Sequence, residues 1–84
     1  MRIKANHPWL VEVGRRVREA RMARGISQEE LGALAGVDRT YVGGIERGER
    51  NVAAVNLIRL ALALGLDVGD LFPSKRELGR SSRK

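Results

Sequence analysis

The chain has 84 residues and no cysteine, so we expect one small domain whose core is supported by neither a disulfide nor a thiolate metal site. The formal net charge of +6 favours a polyanionic partner, most simply nucleic acid. The longest apolar run, Leu60–Leu66, is too short to span a bilayer, and the N-terminus lacks the pattern of a signal peptide. These features predict a soluble cytoplasmic protein, associated with the nucleoid if its partner is DNA.

The basic residues are concentrated at one end of the chain. Residues 75–84, "KRELGRSSRK", contain five basic side chains and one acidic side chain. The other 74 residues therefore hold a net charge of only +2. Because the folded part is nearly neutral, charge alone does not predict that it binds DNA.

Apolar residues recur at helical spacing through most of the sequence, and sustained strand alternation is absent. A first helix is predicted to begin at a capping Asn6, with Pro8 in its opening turn, and to end at Gly25. A second begins at Ser27 with the capping-box sequence "SQEE". Its buried stripe is predicted to consist of Leu31, Leu34 and Ala35.

A third helix is predicted over Arg39–Arg47, with Asp38 as its N-cap and Gly48 at its end. The second and third helices are joined by a short turn that contains Gly36, which is the helix-turn-helix arrangement. Short helices joined by a glycine turn also occur in helical bundles that do not bind DNA. The spacing by itself leaves both interpretations open.

The chain closes with a fourth helix, a helical turn and a basic tail. The fourth helix is predicted over Ala53–Leu64, and the last turn begins at Asp67 and is halted by Pro73. Residues 74–84 carry no apolar period and are predicted to form a flexible, disordered tail. The predicted fold class is all-α, with five helices in a domain at residues 1–73 followed by this tail.

The segment "GISQEELGALAGVDRTYVGGIERGERN" closely resembles the helix-turn-helix domain of the phage-repressor-like (Xre-type) bacterial transcription regulators. The resemblance runs from about Gly14 to Phe72, and "DRTYVGGIERGERN" looks most like the controller proteins of restriction–modification systems. Those proteins are small homodimeric regulators. The resemblance implies that the third helix enters the DNA major groove and that the second lies across the phosphate backbone. It also implies a buried ion pair between Arg21 and Glu46, for which an ordinary exposed pair is the alternative.

The exposed start of this recognition helix is expected to read DNA bases. Arg39 offers a planar fork that matches guanine O6 and N7, and Thr40 can pack its methyl group on a thymine. Tyr41 can reach a base edge or the backbone. The predicted base-reading positions are Arg39, Thr40, Tyr41 and Gly44, and a merely solvated helix start is the alternative.

The adjacent glycines of the third helix require an explanation, because each weakens a helix by roughly 1 kcal/mol relative to alanine. A helix pressed into a groove has a face where any Cβ collides with DNA or a neighbouring helix. Gly44 fits the controller-like "GIER" pattern, whereas Gly43 stands where resembling sequences more often carry serine. Because of this difference, we do not assign to this chain the DNA sequence that its relatives prefer. Drift in a helix held by tertiary contacts is the competing explanation.

Other polar residues are predicted to contact the DNA backbone. Gln28 lies in the first turn of the second helix, where free N–H groups and the helix dipole favour a phosphate. Such contacts fix the register of a protein on DNA without reading sequence. The predicted backbone set is Ser27, Gln28, Arg47, Arg50 and Asn51, with solvated positions as the alternative.

The fourth helix is apolar almost all round, which is typical of a helix buried on two sides. One stripe is assigned to the core, and a monomer of this size has nothing left to cover the other. We therefore predict a symmetric homodimer, with an over-apolar helix in a monomer as the alternative. The predicted dimer residues are Val55, Ile58, Leu62, Leu66 and Val68.

Catalysis has little support, because the single histidine, His7, has no partner set and no phosphate-cradling loop or metal-ligand cluster is present in the sequence. We predict that the chain is not an enzyme and that it needs no cofactor, metal or small-molecule ligand. An antitoxin that binds both DNA and a toxin is a second class of function, although the basic end lacks apolar anchors for a toxin. RNA binding is disfavoured because aromatic stacking platforms are missing.

The sequence thus predicts a sequence-specific regulator of transcription that binds double-stranded DNA as a homodimer on a palindromic operator, in a controller-like role. A generic stand-alone phage-like repressor and an antitoxin-type module are the alternatives. RNA polymerase is a further candidate partner, because a regulator bound at a promoter excludes or recruits it.

Overall fold

A computed structural model describes residues 4–81, and every regular element within that range is a helix. The elements are α1 (Pro8–Ala23), α2 (Gln28–Ala35), α3 (Arg39–Glu46), α4 (Ala54–Leu64), a 3-10 turn (Val68–Leu71) and α5 (Lys75–Ser81). The predicted all-α fold class is confirmed, and the predicted last turn is the 3-10 turn. No helix in the described range is long and apolar enough to cross a membrane.

The core lies where the first four helices and the 3-10 turn meet. Each of them contributes apolar side chains at helical or turn spacing, so that one cluster holds all five elements together. The cluster consists of Val13, Val17, Leu31, Ala35, Val42, Ile45, Leu57, Leu60, Ala61, Leu64 and Leu71. This arrangement fixes the direction in which α2 and α3 present their outer faces.

Gly14 marks a close approach of α1 to α3. A Cβ at this position would overlap the carbonyl oxygens of Ile45 and Glu46. Glycine therefore allows α1 to lie directly against the end of α3. The contact holds the end of the predicted recognition helix beside α1, the helix that also carries Arg21.

Two predicted details of the helices are wrong. The cap of α1 is His7 rather than Asn6, because Nδ1 of His7 accepts a hydrogen bond from the backbone N–H of Trp9 at 3.1 Å. Asn6 instead adopts a φ of 66° and donates its N–H to the carbonyl of Gly48 at 2.7 Å. Leu34, assigned to the buried stripe of α2, is 62% exposed because it lies at the edge of that stripe.

Part of the predicted disordered tail is helical instead. The N–H of Ser74 donates to Glu77 at 2.7 Å, and the N–H of Glu77 donates to the Ser74 hydroxyl at 3.1 Å. This reciprocal capping box starts α5, and Arg16 on α1 pairs with Glu77 at 2.9 Å. The hydrogen bonds from Ser74, with help from Arg16, lower the pKa of Glu77. The last three residues of the predicted tail, 82–84, lie outside the described residues.

Candidate nucleic-acid interface

Helices α2 and α3 are joined by three residues, 36–38, and together they form the predicted helix-turn-helix. Gly36 ends α2 with a φ of 76°, a left-handed conformation that costs glycine little. At the other end of α2, the hydroxyl of Ser27 accepts a hydrogen bond from the N–H of Glu30 at 3.0 Å. The carboxylate of Glu30 accepts one from the N–H of Ser27 at 2.7 Å. Helix α2 is therefore fixed at its start by local hydrogen bonds and at its end by the backbone conformation of Gly36.

The first turn of α3 presents Arg39 and Thr40 to solvent, while Val42 and Ile45 are buried on the opposite side. Among the described residues, neither Arg39 nor Thr40 has a side-chain hydrogen bond or ion pair. Both side chains are therefore available to a partner that approaches the start of α3.

The end of α3 is held by a polar network that links three helices. Nε of Arg21 donates to Glu46 at 2.7 Å and its Nη2 donates to the second carboxylate oxygen at 3.1 Å. Only 13% of the Arg21 side chain and 3% of the Glu46 side chain are exposed. Nη1 of Arg21 also donates to the carbonyl of Ile26 at 2.8 Å, and Nε2 of Gln28 donates to Glu46 at 3.0 Å.

The pairing of Arg21 with Glu46 is bidentate. Every buried side-chain polar atom in the described range has a hydrogen-bond partner. The hydrogen bond to Glu46 raises the pKa of the Arg21 guanidinium. Gln28, predicted to hold a phosphate, directs its amide N–H into the network. That N–H is therefore engaged within the protein.

An open cleft of about 280 Å³ lies beside this network. It is lined by Arg18, Arg21, Gln28, Glu46 and Arg47. Arg18 was not among the predicted contacts, and its exposed position on α1 one turn before Arg21 is the signal that could have identified it. The cleft brings two exposed cations, Arg18 and Arg47, to the start of α2.

Tyr41 is placed differently from Arg39 and Thr40. Its ring packs against the core, and its hydroxyl accepts hydrogen bonds from the Asn56 amide at 3.2 Å and from the N–H of Ala53 at 3.4 Å. Both donors belong to the start of α4. The side chain therefore supports the packing of α3 on α4, a role that sequence reasoning missed.

The side chains of the two arginines that follow α3 extend back over the helix, Arg47 over Gly43 and Arg50 over Gly44. Nε of Arg47 pairs with Glu49 at 3.1 Å, and the guanidinium of Arg50 lies 5.7 Å from the centre of the Tyr41 ring. Gly44 is buried beneath the Arg50 side chain. Asn51 is exposed in the loop after α3. Arg47 thus lies toward α1 and the start of α2, whereas Arg50 lies toward Tyr41.

Residues 17–71 match the helix-turn-helix family profile, and the arrangement of α2, turn and α3 lies within that range. The chain belongs to the helix-turn-helix family. It is accordingly a DNA-binding transcription regulator, and double-stranded DNA is its partner. The resemblance inferred from the sequence is confirmed.

The similar proteins include regulators of known structure. The crystal structure of the restriction–modification controller protein C.AhdI from Aeromonas hydrophila is 56% identical with a TM-score of 0.74, and the match covers 75% of this chain and 96% of that one. A hypothetical transcription factor, NHTF, from Neisseria is 31% identical with a TM-score of 0.76, over 95% and 93% of the two chains. Control protein C.SmaI from Serratia marcescens is 47% identical over 55 residues, 66% of each chain.

On this helix-turn-helix domain, α4 turns an apolar surface to solvent. Leu62 is 73% exposed, Val55 60% and Ile58 47%, so the predicted seam is uncovered in the single chain. Val68 is 37% exposed, whereas Leu66 is half-buried against the core. Phe72, which directly follows the 3-10 turn and is 46% exposed, was not among the predicted dimer residues.

Proposed function

We propose that this chain is a homodimeric, sequence-specific regulator of transcription that acts in a controller-like role on an operator with two half-sites. The observation that carries the proposal is the exposed, unpaired start of α3 above a fully buried inner face. A helix held in this way can enter a major groove without losing its packing. The names of C.AhdI and C.SmaI support the controller role.

The predicted contacts divide into two groups by their position on the domain. Arg39 and Thr40 read base edges, because they project from the first turn of the recognition helix. Four of the predicted backbone contacts, Ser27, Gln28, Arg50 and Asn51, bind phosphates and so fix the position of the protein on DNA, and the exposed Arg18 joins them. Tyr41 is assigned to the support of α3 rather than to base reading, because its hydroxyl is engaged with the start of α4.

The dimer is proposed to form through the apolar surface of α4. Val55, Ile58 and Leu62 recur at intervals of three and four residues, so they form one stripe along the helix. Each is about half exposed or more, and a small soluble domain seldom leaves such a stripe uncovered. In the proposed twofold dimer, each copy of α3 enters one half-site.

The proposed mechanism is occupancy of a promoter in proportion to the concentration of the protein. Dimerisation makes occupancy rise steeply with concentration. Position relative to the promoter decides whether RNA polymerase, the further proposed partner, is excluded or recruited. The protein acts in the cytoplasm, on DNA.

Fluorescence anisotropy with DNA from immediately upstream of this protein's own gene tests the proposal. A scrambled duplex serves as the competitor, at two salt concentrations. Specific binding is expected to exceed non-specific binding by about 10³-fold or more at physiological salt. Equal affinity for both duplexes, falling steeply with salt, would show that the protein contacts only phosphates. That result would contradict sequence-specific binding to this DNA.

Matched variants assign the binding to α3. Arg39→Ala is expected to weaken specific binding by about 1–3 kcal/mol, because a bidentate contact to guanine is lost. Arg76→Ala on α5 removes the same charge far from α3 and serves as the control. Equal losses for the two variants would show that Arg39 acts only through its charge.

A further inference from the structure

The two adjacent glycines of α3 each lie beneath an arginine. Gly43 shares a helix face with the exposed start of α3, because it follows Arg39 by four residues and Thr40 by three. Arg47 follows Gly43 by four residues and extends the same face. Any side chain at residue 43 would therefore stand between the base-reading start of α3 and Arg47.

Arg47 occupies the space that a side chain at residue 43 would fill. A Cβ built on Gly43 would lie 3.0 Å from Nη1 of Arg47 and 3.4 Å from Oε1 of Gln28. Long side chains on a helix point back over the preceding turn, which is how Arg47 reaches residue 43. Glycine leaves this space to the guanidinium, which would have to shift away from the helix if residue 43 carried a Cβ.

The neighbouring position repeats the arrangement with a different arginine. A Cβ on Gly44 would lie 2.8 Å from Cγ and 3.2 Å from Nε of Arg50. The Arg50 guanidinium then faces the Tyr41 ring at 5.7 Å. Each glycine thus seats one arginine, and the two arginines are directed to different sides of α3.

We infer that Arg47 reads a base edge in the major groove and that Gly43 is the positioning residue that directs it there. This inference rests on the proposed function. The guanidinium lies on the same face as Arg39 and Thr40, and its planar fork matches the acceptors of guanine. Arg47 is thereby moved from the predicted backbone contacts to the base-reading set.

The neighbours of Arg47 hold it in this direction. Gln28, whose Oε1 faces the same space above Gly43, is itself fixed by its hydrogen bond to Glu46 at 3.0 Å. Glu49 pairs with Nε of Arg47 at 3.1 Å and leaves the two Nη atoms for a base. A serine at residue 43 brings a Cβ within 3.0 Å of Nη1 and displaces the guanidinium from the helix. Specificity at one operator position is then lost.

Selection from a randomised duplex library, followed by sequencing, measures the base preference at every operator position. The wild type is compared with Gly43→Ser and Arg47→Lys. Gly79→Ser is the matched control, because it makes the same exchange in α5, where a Cβ meets nothing within 4 Å. Thermal unfolding of each variant is measured alongside, and Gly43→Ser is expected to remain folded because only the far end of a flexible side chain must move.

The wild type and Gly79→Ser are expected to prefer guanine at the same operator positions by roughly tenfold. Gly43→Ser and Arg47→Lys are both expected to reduce one of these preferences to below about threefold while the others persist, because lysine lacks the fork and serine displaces it. Unchanged preferences in Gly43→Ser would overturn the inference, as would an Arg47→Lys variant that weakens all sequences equally. A wild type that selects no sequence would contradict the proposed function, and the inference with it.

Discussion

Helices α3 and α4 pack against the same core, yet their outer faces differ in kind. Helix α3 carries two glycines, exposes Arg39 and Thr40, and buries every apolar side chain it has apart from the half-buried Tyr41. Helix α4 consists mainly of strong helix formers and exposes three large apolar side chains. The outer face of α3 is therefore largely polar, whereas the outer face of α4 is largely apolar.

The difference shows how each helix is stabilised. The weak helix, α3, depends on its neighbours, because Glu46 at its end is held by Arg21 and Tyr41 near its start is bonded to α4. Helix α4, which is richer in strong helix formers, packs four residues into the core but also exposes an apolar stripe that water solvates poorly. A helix of low intrinsic stability can therefore persist where neighbouring helices support it, whereas the exposed apolar stripe is the basis of the proposed dimer.

The largest expected effect follows from a charge placed on the stripe of α4. Leu62→Glu is expected to give monomers, because a symmetric dimer loses the burial of two leucines, roughly 1.5–3 kcal/mol each, and must bury two carboxylates. Sedimentation equilibrium measures the mass. Leu34→Glu, at a leucine of α2 that is 62% exposed, is the control and should leave the dimer intact. An unchanged dimer mass for Leu62→Glu would exclude the stripe as the interface.

The second effect concerns the support of α3. Glu46→Ala leaves the Arg21 charge in a site where only 13% of its side chain is exposed, and it is expected to lower the free energy of unfolding by about 3–5 kcal/mol. Urea denaturation measures the loss. Glu19→Ala removes a carboxylate from an exposed pair with Arg15 and should cost at most about 1 kcal/mol. Similar losses for the two variants would mean that the buried network does not support α3.

Tyr41→Phe separates a supporting role from a base-reading role. The substitution removes the hydroxyl that accepts hydrogen bonds from Asn56 and Ala53, and we expect a loss of about 1 kcal/mol in the free energy of unfolding. The base preferences on DNA should persist. A variant with unchanged stability and an altered base preference would return Tyr41 to the base-reading set.

Gly43→Ala tests whether α3 is weak by composition. The substitution is expected to raise the free energy of unfolding by up to about 1 kcal/mol, because alanine favours a helix and only the far end of Arg47 must move. Gly79→Ala is the control, because it makes the same substitution in α5, where a Cβ meets nothing within 4 Å. A clear loss of stability in Gly43→Ala would show that residue 43 packs more tightly than the described contacts indicate.

The smallest effect is the response of α5 to acid. Because the folded state lowers the pKa of Glu77, its contribution is complete above the ordinary carboxyl range and is lost as pH falls through the lowered pKa. Hydrogen exchange at the Glu77 amide, which donates to Ser74, is therefore expected to accelerate as pH falls below the ordinary carboxyl range. Glu77→Gln should remove this pH dependence. Exchange that is independent of pH in the wild type, after correction for the intrinsic rate, would contradict it.

Much of the fold could be predicted because its signals are local. The capping box at Ser27 and the left-handed glycines at residues 25, 36, 48 and 65 mark helix ends in the sequence itself. Helix α5 was missed although "SKRE" at residues 74–77 has the same capping pattern as "SQEE". Its anchor is the pairing of Glu77 with Arg16, which lies 61 residues away and leaves no trace in an apolar period.

The candidate site was less predictable, because its side chains are arranged by contacts between helices. Pairing of Arg21 with Glu46 was implied by the family resemblance and is present in the structure. The direction of the Tyr41 side chain is set by its hydrogen bond with Asn56 at the start of α4. The direction of the Gln28 amide is set by its hydrogen bond to Glu46 at the end of α3. Periodicity shows which face of a helix is buried, but it does not show which neighbour a long polar side chain will meet.

Hydroxyl-radical footprinting of the bound operator tests the central claim, that two copies of this domain place two recognition helices on one DNA site. The account predicts two symmetric protected patches whose centres lie about 34 Å apart, one helical turn, at saturating wild-type protein. It also predicts that Leu62→Glu loses both patches at that concentration. A single patch for the wild type, or protection that Leu62→Glu leaves unchanged, would contradict the account.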